Sequence, residues 1–266
     1  MQRLKGLSAL VTGANSGIGE AIAKALALEG AQVVVNYLAN ADEARKIVKS
    51  IQQEKGIAIA IKADISREEQ VKKLFQKMYE EFGSIDVLVN NAGIQRDADF
   101  VNMTLTQWQQ VINVNLTGGF LCAREAAREF IRRGIVKGRS IAAGKIIFIT
   151  SVHEVIPWAR HANYAASKGG SMLLMKSMAQ ELAVYKVRVN SIAPGAIKTP
   201  INTSAWSIPQ AEKELLKLVP SGRVGDPKDI ATVAVWLASD ESDYVNGTTI
   251  FVDGGMTLYP GFATGG

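Results

Sequence analysis

Apolar positions along the chain follow two alternating patterns. Short, almost continuous apolar runs occur at Ser8–Thr12, Gln32–Tyr37, Ile57–Lys62, Val87–Asn90, Lys145–Thr150, Val187–Ile192 and Thr248–Val252. Such runs suit strands covered on both faces, as in a parallel sheet. Between them, Ile18–Glu29, Ala41–Glu54, Glu68–Phe82, Gln107–Arg133, Tyr164–Val184 and Pro227–Ala238 carry apolar residues three and four apart. That is the period of an amphipathic helix. Asp226-Pro227 adds a helix-start signal, an N-cap residue followed by proline at the first helical position. The alternation predicts an α/β fold, a doubly wound (Rossmann) sheet of seven parallel strands with helices on both faces. No linker or low-complexity stretch divides residues 1–266, so a single domain is expected. The polar, glycine-rich Gly134–Gly144 reads as an exposed loop. The long connection 199–225 follows the sixth strand, where connections often cover a ligand.

Composition narrows the function. With 47% apolar and 21% charged residues the chain can offset its ordering entropy, which excludes disorder. Its 24 glycines have no fixed period, which excludes a collagen-like fibre. The net charge of +5 is spread along the chain without a basic run, so no nucleic-acid partner is expected. Cys122 is the only cysteine, so an intrachain disulfide and a cysteine metal site are excluded. No apolar run approaches the roughly 18 residues of a membrane span. Leu7 to Val11, the first strand-like run, begins too early to leave room for a signal peptide, so a cytoplasmic protein is expected. His153 and His161 are the only histidines, and no carboxylate lies at ligand spacing from both, so no metal is expected.

Candidate chemistry starts at Leu10–Gly19. Gly13, Gly17 and Gly19 stand between a predicted strand and a predicted helix. Glycines there permit a tight turn and close approach of a pyrophosphate to the helix N-terminus. The second strand ends Asn36-Tyr37, without the acidic residue that usually bonds the adenosine ribose in NAD-specific sites. A 2′-phosphate would meet no repulsion, so NAD or NADP is expected. Arg45 nearby is either its cationic partner or a solvated helix residue. Tyr164 and Lys168, four apart, share one helix face. An ammonium beside a phenol favours phenolate and makes it a better base. Ser151, at the end of the fifth strand, can converge on that phenol.

These motifs resemble the short-chain dehydrogenase/reductases over nearly the whole chain. The matching segments are Thr12-Gly-Ala-Asn-Ser-Gly-Ile-Gly19, Asn90-Asn-Ala-Gly93, Ser151 with Tyr164-Ala-Ala-Ser-Lys168, and Pro194-Gly195 followed by Thr199. The resemblance implies Tyr164 as general acid/base, Ser151 as hydrogen-bond partner of the reacting oxygen and Lys168 as holder of the nicotinamide ribose. It implies Asn115 in Asn113-Val-Asn-Leu-Thr-Gly118 as the helix asparagine of a proton relay, with Asn113 as competitor. The cofactor would be held by Gly13, Asn15, Ser16, Gly17, Ile18, Gly19, Tyr37, Asp64, Ile65, Asn91, Ala92, Gly93, Pro194, Gly195, Ile197 and Thr199. A non-catalytic dinucleotide sensor, the rival from another class, has no use for the Ser151–Tyr164–Lys168 set.

A narrower resemblance joins Ser151-Val-His-Glu-Val-Ile-Pro-Trp158, Pro194-Gly-Ala-Ile-Lys-Thr-Pro-Ile-Asn202 and Asp253-Gly-Gly-Met-Thr-Leu-Tyr-Pro260 to the bacterial glucose 1-dehydrogenases. It implies oxidation of the C1 hydroxyl of β-D-glucose to glucono-1,5-lactone. Ser151, His153, Tyr164 and Asn202 would contact the sugar, and Glu154 is a further candidate. His153 can instead be a capping or packing residue, Glu154 a solvated carboxylate and Trp158 a core or interface aromatic. Met172, Met175 and Met178 read as packing residues. The sequence departs from that group at Gly134–Gly144, which is longer, at Gln95-Arg96 and at Lys198. The alternatives are a reductase of 3-oxoacyl thioesters or of another sugar, polyol or carbonyl substrate. Family members pair the helices at Gln107–Arg133 and Tyr164–Val184 between subunits. The resemblance therefore implies a homotetramer, with the tail after Tyr259 near a neighbour's site.

Overall fold

The computed structural model describes residues 2–258. The tail from Tyr259, expected near a neighbour's site, lies outside the described residues. The seven strands are β1 (Ser8–Val11), β2 (Gln32–Tyr37), β3 (Ile57–Lys62), β4 (Val87–Asn90), β5 (Gly144–Ile149), β6 (Val187–Pro194) and β7 (Thr249–Val252). They form one parallel sheet in the order β3-β2-β1-β4-β5-β6-β7. The doubly wound parallel sheet is therefore as expected, with strand ends shifted by at most two residues.

Period-two alternation divides the buried strand residues between two cores. Ala9, Val11, Val33 and Val35 face α1 (Gly17–Leu28), α2 (Ala41–Gln53) and, from the far end of the chain, Ile230, Ala231 and Ala234. Leu10, Val34, Leu88 and Ile146 face α3 (Glu68–Phe82) and the helices that follow β4. Glycine is required where β5 crosses this second core. A Cβ on Gly144 would fall inside the ring of buried Phe130. Gly144→Ala should lower unfolding free energy by about 1–3 kcal/mol, the range for overpacking a core. A denaturant midpoint equal to wild type would contradict this.

Two expectations are corrected. The predicted helix Gln107–Arg133 is not continuous. It is α4 (Leu105–Ile112), a wider π turn at Asn113–Gly118, and α5 (Gly119–Arg133). Apolar periodicity runs through a π turn with little change, so the sequence pattern hides it. The next helix, α6, spans Ala162–Leu182 and starts before Tyr164. The long connection 199–225 contains α7 (Thr203–Trp206) and α8 (Pro209–Leu216) before α9 (Pro227–Ala238). Asp226 caps α9 through a reciprocal box with Asp229.

Gly134–Gly144 also differs from a free loop. Arg139 donates to the Gly6 carbonyl and pairs with Asp86 at 2.8 Å, while Ser140 donates to Asp240. The insertion thus stitches together the N-terminal ends of β1, β4 and β5, at the sheet end away from the glycine turn.

Candidate active site

In a sheet wound outward from β1 and β4, connections after these two strands leave in opposite directions and open a crevice. A cavity of about 800 Å³ occupies it. One end is the turn after β1. Gly13 has φ +59°, and a Cβ there would meet Ala92 Cα at 2.9 Å. A Cβ on Gly19 would strike the Asn91 amide nitrogen and lie 2.6 Å from the Gly13 carbonyl oxygen. The turn is therefore packed too closely against the segment after β4 to admit a side chain at Gly13 or Gly19. The amide of Asn91 donates to the carbonyls of Thr12 and Gly13, at 2.9 and 3.0 Å, locking β4 to the turn. Gly19→Ala should weaken dinucleotide binding at least about tenfold, equivalent to 1.4 kcal/mol. Fluorescence titration with NADPH checks this, and unchanged affinity would contradict it.

Most of the residues expected to hold a dinucleotide line this cavity: Gly13, Asn15, Ser16, Gly17, Ile18, Gly19, Asp64, Ile65, Asn91, Ala92, Gly93, Pro194, Gly195, Ile197 and Thr199. Tyr37 does not. Its side chain packs against the core, and Asn36, Leu38 and Ala39 line the cavity there instead. Asn36 accepts from the Gly13 N–H at 3.3 Å and donates to the Ile61 and Ala63 carbonyls, both at 3.2 Å. It braces the turn, a role visible in sequence only as a polar residue at the end of a buried strand. Arg45 is exposed and paired with Asp42 on its own helix. The glycine cradle, the helix N-terminus behind it and the absence of a carboxylate at Asn36 fit a dinucleotide of either kind.

At the other end Ser151, Tyr164 and Lys168 line the same cavity. Ser151 lies two residues beyond β5 and its oxygen accepts the His153 N–H. Lys168 donates to the Ile149 carbonyl at 2.8 Å, and its Nζ lies 5.5 Å from the centre of the Tyr164 ring. Burial lowers Lys168 to about 8, against a smaller upward pull from Glu154. Burial also raises the Tyr164 phenol, outweighing the opposing hydrogen bonds of Ser151 and Gln95. The sequence pattern suggested a phenol held low by the ammonium. Here desolvation wins, because both groups are buried and the amine is already bonded to a carbonyl.

Asn115 is buried inside the π turn and fully engaged. Its Oδ1 accepts the Ile94 N–H at 2.8 Å, and its Nδ2 donates to the Ile94 carbonyl and the Ser167 hydroxyl, both at 3.1 Å. It ties the strand-end segment carrying Ile94 and Gln95 to α6. Neither Asn115 nor its competitor Asn113 lines the cavity, so Asn115 is placed behind the site and not in its wall.

The expected sugar contacts fare unevenly. His153 lines the cavity with Nδ1 3.2 Å from the Ile156 carbonyl, so that nitrogen carries the proton and Nε2 is an acceptor. Burial lowers its basicity, which keeps the ring neutral. Asn202 lines the cavity, but its amide is engaged. It accepts from Thr199 N, Thr199 Oγ1 and Trp206 Nε1 and donates to the Ile197 carbonyl. Glu154 is not in the lining at all. It is 8% exposed, with burial raising its carboxyl. Most of the remaining lining is apolar, Ile94, Ile156, Pro157, Trp158, Ile201, Ala205, Leu215, Leu218, Met256 and Leu258, with Gln95 and Lys217 as polar members. Most of these were not read from sequence as site residues, since scattered apolar residues in a loop carry no periodic signal.

A family profile described as enoyl-(acyl carrier protein) reductase matches residues 13–257. The chain is 46% identical over 262 residues to 3beta-hydroxysteroid dehydrogenase 1 of Eggerthella lenta, covering 98% of each. It is 40% identical over 258 residues to glucose 1-dehydrogenase 2 of Bacillus subtilis, covering 97% of each. A gluconate 5-dehydrogenase from Burkholderia cenocepacia, solved with NADP and tartrate, superposes with a TM-score of 0.89 at 37% identity, over 97% of each chain. With the glycine cradle, the Ser151–Tyr164–Lys168 cluster and these matches along its length, the chain belongs to the short-chain dehydrogenase/reductases, a family of NAD(P)-dependent oxidoreductases.

Proposed function

We propose that the protein interconverts a secondary alcohol and its ketone on a bulky apolar substrate of hydroxysteroid type, using NAD or NADP. The observation that carries this reading is the predominantly apolar lining around Tyr164, with the Asn202 amide engaged within its own loop and Glu154 outside the cavity. A sugar needs a hydrogen-bond partner for nearly every hydroxyl, because unpaired buried polar groups are costly. The similarity to the steroid dehydrogenase of Eggerthella lenta supports the same choice.

The nicotinamide ring, when bound, accepts or gives the hydride. Tyr164 gives a proton to the ketone oxygen in reduction and takes the hydroxyl proton in oxidation. Ser151 hydrogen-bonds the same oxygen. Lys168 holds the cofactor ribose and supplies positive charge near the phenol. Asn115 keeps the Ile94–Gln95 wall and α6 in register. The apolar wall excludes water and orients the substrate.

The glucose 1-dehydrogenase reading is kept because His153 presents an acceptor nitrogen into the cavity and the Bacillus subtilis enzyme is similar throughout. Purified protein is assayed at 340 nm with epiandrosterone, glucose and, in reduction, an acetoacetyl thioester, each with both cofactors. The steroid should be favoured in kcat/KM by at least about a hundredfold, or 2.7 kcal/mol. Glucose or the thioester ahead of it would overturn the steroid reading.

The titrations of the site give a pH dependence. Burial raises Tyr164, so the neutral phenol dominates near neutrality and suits reduction. Raising the pH generates phenolate and speeds oxidation, until Lys168 loses its proton around 8. Glu154 pulls Lys168 upward, so Glu154→Gln should make the rise level off at lower pH. An unshifted or upward-shifted levelling point would contradict this.

We also assign a cytoplasmic location and a homotetramer. No helix among the described residues is long and apolar enough to cross a membrane. Phe120, Ile131 and Leu173 leave apolar surface exposed on α5 and α6, which supports pairing of these helices between subunits. Light scattering giving a monomer mass at micromolar concentration would count against the tetramer.

A further inference from the structure

Beside the cavity, three rings form a stack that the proposed chemistry does not use. Trp158 lies between His153, at 4.2 Å and 16° between planes, and His161, at 3.5 Å and 5°. The indole also meets the Tyr164 ring edge to face at 6.3 Å. His161 is held at both nitrogens: Nδ1 is 2.8 Å from the Ala159 carbonyl and Nε2 is 3.1 Å from an Asp97 carboxylate oxygen. Both partners are acceptors, so both bonds form only when the ring carries two protons. The ring so held lies flat against the indole face.

The surrounding contacts fix this geometry from both sides. Arg160 has φ +70°, in the left-handed region, and its carbonyl accepts the Ala98 N–H at 3.0 Å. Its guanidinium pairs with Asp99 at 3.0 Å. Asn163 donates to the Arg96 carbonyl at 2.8 Å. The segment after β4, which brings Ile94 and Gln95 to the cavity, is thus pinned to the segment that brings Trp158. Asp97 and His161 do not line the cavity, whereas Trp158 and His153 do.

We propose that Asp97 and His161 are positioning residues: they clamp the Trp158 ring upright as the wall against which the apolar body of the substrate packs. They set affinity for large substrates without touching them. The proposal rests on the steroid-type reading of the cavity, because a small alcohol would not reach that wall.

The test compares Asp97→Asn, Asp97→Glu and His161→Gln with wild type in the full-length protein, on epiandrosterone and on cyclohexanol, with saturating NADP. Asp97 is half-exposed, so its variants test the clamp even if His161→Gln folds poorly. We expect KM for epiandrosterone to rise about tenfold in Asp97→Asn and His161→Gln, equivalent to 1.4 kcal/mol. The kcat, the cyclohexanol KM and the cofactor KM should stay within about twofold, or 0.4 kcal/mol. Asp97→Glu should recover most of the steroid affinity. An unchanged steroid KM, or parallel loss on both alcohols, overturns the clamp. A second readout needs no turnover. A histidine ring stacked on an indole quenches its emission, so the Trp158 contribution, obtained by difference from Trp158→Phe, should brighten in His161→Gln and Asp97→Asn. If wild type ignores epiandrosterone, the steroid reading fails, and the emission change alone decides the clamp: brightening supports it and no change overturns it.

Discussion

Tyr164→Phe should reduce turnover by at least about a hundredfold and up to ten-thousandfold, the range that positioned acid–base catalysis supplies. The reasoning is geometric. Tyr164 lines the cavity with Ser151 and Lys168, and its ring lies 5.5 Å from the Lys168 ammonium. Removing the hydroxyl leaves the ring, its edge contacts with His153 and Trp158, and the glycine cradle in place. NADPH binding should therefore stay within about twofold of wild type, a change of 0.4 kcal/mol. Loss of both turnover and binding would indicate a collapsed site and leave the phenol without its assigned role. Retained turnover would remove that role directly.

Asp86→Ala should produce the largest loss of stability, with little effect on the chemistry. Asp86 is 3% exposed and its two oxygens meet three partners: the Ser8 N–H, Arg133 and Arg139, each at 2.8 Å. Arg133 also donates to Ser84, Ile85 and Ala143, so it cannot swing to solvent without breaking those bonds. Truncation leaves two guanidinium groups and a strand N–H without their carboxylate. Breaking one side of a buried ion pair costs about 3–5 kcal/mol. For a chain of this size that is on the order of 10 °C in Tm. The network sits at the N-terminal ends of β1 and β4, across the sheet from Tyr164. The KM of the folded variant should match wild type. A Tm within about 2 °C of wild type, less than 1 kcal/mol, would contradict the argument.

Local features of this protein were legible without a fold. Strand runs such as Gln32–Tyr37 are buried on both faces, and burial writes itself into composition residue by residue. The glycine turn was legible because left-handed backbone at Gly13 and Gly17 excludes most side chains. Tyr164 and Lys168 were legible because a helix places residues four apart on one face.

Other features depend on where separate segments meet. The π turn is held by Asn115 reaching Ile94 and Ser167, contacts that no local periodicity reports. Asn202 looked free to bond a sugar, yet its amide is engaged by Thr199, Trp206 and Ile197 once the loop folds. Glu154 looked like a loop carboxylate, and packing buries it away from the cavity. Sequence by itself determined the sheet, the glycine turn and the shared helix face of Tyr164 and Lys168, because each rests on short-range sterics or on one element's period. Tertiary structure alone decided the polarity of the cavity wall and the direction in which burial shifts Tyr164 and Lys168. Those depend on which distant side chains exclude water from a shared space, and solvent exclusion is a property of the assembled surface.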